Sequence, residues 1–122
     1  MATTLEQILG KPTFLRVNEI GSGFGPPIDF IDVEAVVILD VRPDEAYGLK
    51  LRADQNQTVR QGMLDLLRDA FENDTTVLID FLIDREFGRK HGFVYRVALL
   101  KGEPPSIVTD FTTSGRNPEG VP

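Results

Sequence analysis

The stretch TVRQGMLDLLRDAFEN, from Thr58 to Asn73, carries the clearest structural pattern in the sequence. Its apolar residues recur at the three- and four-residue spacing of one helical face, with charged residues opposite. The apolar set is Val59, Met63, Leu66, Leu67, Ala70 and Phe71. Thr58 and Gln61 fit a capping box, and Asn73-Asp74 tolerates a left-handed exit from the helix. The pattern predicts one amphipathic helix packed on a core, with a partner-binding helix as the alternative.

Alternating and β-branched runs predict strands on both sides of this helix. They cover residues 13–20, 33–41 and 47–52 before the helix, and residues 76–84 and 93–101 after it. A Gly-rich loop at 21–27 and a hairpin loop at 85–92 connect strands. Residues 3–9 fit a short helical turn, and residues 106–113 have the β-branched content of an additional strand. We therefore predict one domain over residues 1–113 and a flexible tail over residues 114–122.

The predicted element order is strand-strand-strand-helix-strand-strand, a mainly β protein with one central helix. This order resembles the OB-fold superfamily, whose members are small five-stranded Greek-key barrels. With the helical turn at Thr4 to Leu9, the long helix and the two strands after it, the resemblance narrows to the receptor-binding subunits of bacterial AB-type toxins. It spans about residues 4–101. It implies a barrel plugged by the helix and assembly as a five-membered ring.

Composition restricts the class of protein. The net charge of −6 disfavours general nucleic-acid binding, which depends on Lys and Arg contacts to phosphates. The chain has no cysteine, so disulfides, thiolate catalysis and Cys-ligated zinc are excluded. The first ten residues lack the basic and apolar regions of a secretory signal, and no apolar run approaches the ~20 residues of a membrane helix. We expect a cytoplasmic protein without membrane contact.

Several predicted strands are apolar on both faces. Leu78 and Leu82 lie opposite Phe81 on one strand, and Val36 and Ile38 oppose their neighbours on another. Strands of this kind need cover on both faces, and one helix covers only one. The pattern predicts a homo-oligomer, either a ring or a dimer, with cover by the C-terminal segment as the alternative.

No catalytic constellation can be assembled from the sequence. Gly21, Gly23 and Gly25 have the spacing G-x-G-x-G and precede two prolines, so they do not form a dinucleotide-binding loop. Asp80 and Asp84 would lie about 13 Å apart on a strand, too far for a glycosidase pair. We expect no enzyme activity, no cofactor and no metal site. Oxygen-only calcium binding at Asp29 and Asp32 is the one alternative.

The sequence therefore predicts a non-enzymatic, oligomeric binding or assembly module for a protein or a small molecule. The alternatives are an oligosaccharide-binding subunit of a ring and a single-stranded nucleic-acid binder. OB-folds bind ligands on their middle strands and adjacent loops. That rule gives the candidate ligand-binding residues Phe24, Tyr47, Lys50, Arg52, Arg85, Arg89, Lys90 and His91. For Phe24 the alternative is a structural role in its own loop.

Overall fold

The strand that follows the helix is central to the pairing of the sheet. Strand β5, Thr76–Asp84, pairs antiparallel with β1, Thr3–Gly10, on one side and with β6, His91–Leu100, on the other. The structure, a computed structural model, describes residues 3–102. The remaining elements are β2, Pro12–Val17; β3, Ala35–Leu39; β4, Ala46–Leu49; and helix α1, Gln57–Asn73. The six strands form one mixed sheet in the order β1-β5-β6-β4-β3-β2, in which only the β4–β6 pair is parallel.

The predicted helix is confirmed, but its first turn differs in detail. α1 begins at Gln57 with Asn56 as its N-cap residue, and no side chain caps it. The predicted capping box at Thr58 is therefore wrong, because Thr58 already lies inside the helix. The left-handed exit is confirmed at Asp74, which has φ 55° and donates its backbone N–H to the Ala70 carbonyl.

The short helical turn predicted near the N-terminus is wrong. Residues 3–10 instead form β1, paired with β5 from Thr3 opposite Asp84 to Gly10 opposite Val77. Glu6, which fits a local capping box, reaches across to the Arg85 guanidinium instead. Long-range pairing outweighs the weak local helix signal here.

The five-stranded OB-like barrel is not confirmed. Within residues 3–102 the sheet is open, with β1 and β2 as its two edges. Closure would need these edge strands to pair, and each has only one neighbour, β5 for β1 and β3 for β2. The coarser prediction, a mainly β protein with one central helix, is confirmed.

The main core lies between the sheet and α1, on what we call the helix face. Tyr47 of β4 and Phe81 of β5 are fully buried there, with ring centroids 4.3 Å apart. Met63, Leu64, Leu67 and Ala70 of α1 cover them and their neighbours. The helix stripe is narrower than predicted, because Val59 and Phe71 are 60% and 46% exposed.

The opposite side of the sheet, which we call the second face, has a cover of its own over β3 and β4. The segment of residues 24–33 returns across it, with Phe24 and Ile31 bridged through their backbones. Ile31 and Val33 bury Val36 and Ala46. One part of the two-faced apolar pattern is thus satisfied within the chain.

Strand β6 does not keep the single core face that its alternation predicts. The register with β5 shifts after Asp80, so that Asp80 faces Arg96 while Phe81 faces Val94. Val94 and Val97 pack against the main core, and Phe93 is 38% exposed on the second face. An irregularity of one residue exchanges the two faces of a strand, because side chains alternate with a period of two.

Two predictions fall on residues outside the described range, the additional strand at 106–113 and the tail at 114–122. Within residues 3–102, no helix combines the length and apolarity of a transmembrane span.

Candidate functional site

The eight predicted ligand-binding residues do not converge on one site. The structure places them in four locations: a cluster around His91, a buried ionic network, a salt bridge beside β3, and a cleft beside α1. Each location has a different chemistry.

The first location is the histidine cluster, which consists of Phe24, Asp29, Arg89, Lys90 and His91. His91 Nδ1 accepts the backbone N–H of Ala46 at 3.2 Å, and Nε2 lies 3.7 Å from the Asp29 carboxylate. That carboxylate accepts the Lys90 backbone N–H at 2.7 Å, and the Phe24 ring meets the imidazole edge-on at 5.1 Å between centroids. The cluster fastens the 24–33 segment to the start of β6, so the structural alternative for Phe24 has direct support.

The His91 imidazole is enclosed. Its side chain and that of Asp29 are each only 12% exposed. No serine, threonine or cysteine appears among its hydrogen-bonding partners in the described residues, so the pair lacks the nucleophile of a catalytic triad.

The second location is an ionic network centred on Arg85, in the turn after β5. Arg85 binds the carboxylates of Glu6 and Glu45, and Arg42 binds Glu45 from another side. The Tyr47 hydroxyl donates to Glu45 at 2.7 Å. Tyr47 is fully buried, so it offers no exposed surface to a ligand.

Both carboxylates of the network are held in their charged form. Hydrogen bonds from Arg85 hold the pKa of Glu6 below its ordinary value. Burial alone would raise the pKa of Glu45, but hydrogen bonds from Arg85 and Tyr47 outweigh it, and that pKa is lowered too. Burial and the bond to Glu45 raise the pKa of Tyr47. The network is therefore a structural ionic cluster that joins β1, β4 and the turn after β5.

The third location holds Arg52, whose guanidinium bridges two acids at the end of the 24–33 segment. It binds Glu34 through Nε at 2.8 Å and Asp32 at 2.5 Å. Arg52 hydrogen bonds hold the pKa of Asp32 below its ordinary value. Asp32 is thus engaged by an arginine, which competes with the calcium alternative.

The fourth location is a cleft of ≈ 620 Å³ between the end of β4, the first half of α1 and the middle of β6. It forms because β4 pairs with β6 over only three positions, from Ala46 opposite His91 to Gly48 opposite Phe93, and then turns away. Its lining is Gly48, Leu49, Lys50, Asn56, Val59, Arg60, Met63, Leu82, Phe93, Val94, Tyr95 and Arg96. Of the predicted set, only Lys50 lies here.

The charged groups in the lining are all cationic. Arg60 is paired with Asp54 at 2.8 Å, and its hydrogen bonds hold the pKa of Asp54 below its ordinary value. Arg96 lies 3.2 Å from Asp80, whose pKa is raised by burial. Lys50 forms no close ion pair within residues 3–102, although its charge helps to lower the pKa of Asp32 and Asp54, and its ammonium lies 5.8 Å from the centroid of the Phe93 ring.

Most of the cleft could not be found from local sequence patterns. Phe93 and Tyr95 share one alternating face with Val97 and Leu99 and are therefore predicted as core residues. They line the cleft because of the register shift in β6 and the short parallel pairing with β4, which are both long-range features. The sequence carried one weaker signal of the cleft. Val59 is an apolar residue in the first turn of a helix that packs mainly through its later turns.

No group of three or more His, Asp or Glu side chains within residues 3–102 is arranged to hold a metal ion. No protein-family model, no curated protein and no solved structure matches the chain. The geometry of the cleft is therefore the basis for assigning a function.

Proposed function

We propose that the protein is a non-enzymatic binding module that holds a small, largely apolar molecule in the cleft beside α1. The cleft itself is the observation that carries this proposal. Its volume of ≈ 620 Å³ lies in the range of about 300–1,000 Å³ typical of small-molecule sites. Leucine, valine, methionine and two aromatic residues form most of its walls, and a few polar groups lie among them.

The chemistry of the lining supports binding without catalysis. No His, Asp, Glu, Ser or Thr is among the described residues of the lining. Of the residue types that general acid–base and nucleophilic mechanisms use, the described lining offers Lys50 and Tyr95. The groups present suit a site that encloses apolar surface and fixes one polar end of a ligand.

A fragment screen by protein NMR tests the proposal. Aromatic and aliphatic fragments, with short oligosaccharides as a separate arm, should shift the amide signals of Lys50, Val59, Met63 and Phe93. Val59→Trp fills the mouth of the cleft from a side chain that is already 60% exposed, and it should weaken binding at least about tenfold. Val41→Trp is the matched control, because Val41 is 56% exposed and lies outside the cleft. Absence of any cleft-directed binding, or equal binding by Val59→Trp, would reject the proposal.

Self-association is a second proposal, favoured by the part of the second face that lies on β1, β5 and β6. The register places Leu5, Leu9, Leu82, Phe93, Ala98 and Leu100 there, on both sides of a row formed by Gln7, Asp80 and Arg96. Leu9 and Phe93 are 39% and 38% exposed. The occupant that we propose is a second copy of this chain, which would match apolar patch to apolar patch about a two-fold axis.

The size of this face sets the expected strength of the contact. Nine residues along β5 and three strands across give about 30 by 14 Å, or roughly 400 Å². A stable interface buries about 800 Å² per partner. We therefore propose a weak, concentration-dependent dimer through this face.

A further inference from the structure

We propose that the ligand of the cleft is an amphipathic monoanion, with an apolar or aromatic body and one carboxylate-like head held by Lys50. This inference rests on the proposed function and adds the charge and orientation of the ligand. It depends on three features of the lining: its charge, the engagement of each cation, and the ring beside Lys50.

The charge of the lining is opposite to that of the protein. The chain carries 19 acidic and 13 basic residues, yet the described lining holds Lys50, Arg60 and Arg96 and no carboxylate. Arg60 and Arg96 are paired with Asp54 and Asp80, which lie outside the described lining, so Lys50 is the cation that would attract an anion locally while the acidic surface repels it.

The ion pairs of the three cations show which of them is available to bind the head group of the ligand. The Arg60 guanidinium donates to both oxygens of Asp54, at 3.0 and 2.8 Å, and Arg96 is held by Asp80. Lys50 forms no close ion pair in the described residues, and Asp32 and Asp54 interact with its charge only at longer range, so its ammonium is the cation most available to an incoming anion. Lys50 offers a single ammonium, and each guanidinium in the described lining is already held by a carboxylate. This favours a ligand with a single negative charge over a phosphate bound through two oxygens.

The surroundings of Lys50 position the body of the ligand. The Lys50 ammonium lies 5.8 Å from the Phe93 ring centroid, and Leu82, the register partner of Phe93 on the same face of the sheet, lines the same cleft. An anion that binds the ammonium therefore places its apolar portion against the Phe93 ring and Leu82. Burial of the apolar portion of the ligand contributes the binding free energy, and the charge determines which end of the ligand lies at Lys50.

A matched ligand pair separates this inference from the proposed function. We would titrate the full chain with 2-naphthoate and with its neutral isostere 2-naphthamide, by calorimetry and NMR at low salt and neutral pH. The naphthoate should bind about five- to tenfold more tightly, the size of one partly exposed charge-assisted contact. The preference should decrease as salt screens the charge.

Substitution of Lys50 shows whether this residue supplies the preference. Lys50→Met should remove the discrimination while it leaves the affinity for naphthamide unchanged, and Lys50→Arg should keep the discrimination. Lys11→Met is the matched control, since Lys11 pairs with Asp74 on the surface away from the cleft. Retained naphthamide binding also shows that the Lys50→Met variant is folded.

Each outcome has one meaning. If neither ligand shifts cleft residues, the proposed function fails. If both bind equally, or if Lys50→Met keeps the preference, the binding module stands and the monoanion inference is overturned. Tighter binding of a single-stranded oligonucleotide with steep salt dependence would overturn it as well, because a polyanion needs a continuous basic track.

Discussion

Gly25 lies where the 24–33 segment passes close to His91. Its φ of +103° lies in a region that L side chains rarely adopt. A Cβ at this position would overlap the Asp29 carbonyl oxygen and lie 3.0 Å from His91 Cδ2. Backbone conformation and lack of space therefore both require glycine here.

Substitution of Gly25 should loosen the histidine cluster. We expect Gly25→Ala to lower the free energy of unfolding by about 2–3 kcal/mol, from strain plus displacement of Asp29. Gly21→Ala is the control, because Gly21 has φ +90° but a Cβ there would meet nothing within 4 Å, and it should lose only about 1 kcal/mol. Urea denaturation measures both. Equal losses would show that the contact with Asp29 and His91 is unimportant.

Asp80, on the second face, should make the stability of the folded protein depend on pH. Burial raises its pKa, while a hydrogen bond from Gln7 and the charge of Arg96 lower it less strongly. Between the unfolded pKa of 3.8 and the higher folded pKa, the native state binds more protons than the unfolded state, so stability falls as pH rises. Asp80→Asn cannot titrate and should lose this decline. Urea midpoints of both proteins from pH 4 to 7 test the expectation, and parallel curves would contradict it.

At the scale of elements, prediction succeeded where a pattern was local and long. α1 buries one face and β5 buries residues on both of its faces, and both elements are found close to the predicted bounds. Residues 3–9 were predicted wrongly because a strand at the edge of a sheet depends on its partner, here β5, more than on its own propensity. The predicted closure of the barrel is not found for a related reason, because the order of elements along the chain does not determine which strands pair.

Of the residues that line the cleft, only Lys50 was predicted from the sequence as a ligand-binding residue, and the reasons are physical. Arg52 and Arg85 are cationic and flank strands, as binding residues often do, but both are held by two carboxylates. Sequence shows the charge of a side chain and does not show its partners. Phe93 and Tyr95 could not be separated from core residues without knowledge of the register shift.

The ionic network around Arg85 should contribute strongly to holding β1 and the residue before β4, Glu45, against the turn after β5. The Glu45 side chain is 9% exposed, so little solvent reaches it. Arg85→Gln removes its main cationic partner. We expect a loss of about 2–4 kcal/mol at neutral pH, below the range for fully buried pairs because the Arg85 side chain is 34% exposed.

The pH dependence of this loss follows from the lowered pKa values of Glu6 and Glu45. Groups whose folded pKa is depressed contribute stability above their unfolded pKa of 4.5, and the contribution disappears as pH falls through the folded values. The difference between wild type and Arg85→Gln should therefore be full above about pH 5.5 and shrink below pH 4.5. Urea denaturation from pH 3 to 7 measures it. Arg68→Gln, at an exposed helical pair, is the control and should cost little at any pH.

At the scale of the whole molecule, the two faces of the sheet are covered unequally. α1 covers the helix face, and the 24–33 segment covers the second face only over β3 and β4. The histidine cluster holds that segment in place, and the cleft opens where β4 and β6 separate. In the remaining part of the second face, over β1, β5 and β6, Leu9 and Phe93 are exposed, whereas Leu78 between them is buried.

Weak dimerisation through this remaining surface is the prediction for the intact protein. Light scattering should give the monomer mass of 13.6 kDa at low concentration and a rising average mass as the concentration approaches the high-micromolar range. Added salt should strengthen the association, because two copies that each carry a charge of −6 repel one another.

Two variants locate the contact. Leu9→Lys places a charge on the exposed second face of edge strand β1 and should keep the mass at that of the monomer. Val17→Lys makes the same kind of change at a 59% exposed residue of the other edge strand, β2, and should associate like wild type. A wild-type mass that stays at 13.6 kDa at every concentration and salt would remove the case for a dimer. A loss of association in both variants alike would instead assign the contact to the sheet edges, because lysine on an edge strand also blocks edge-to-edge pairing.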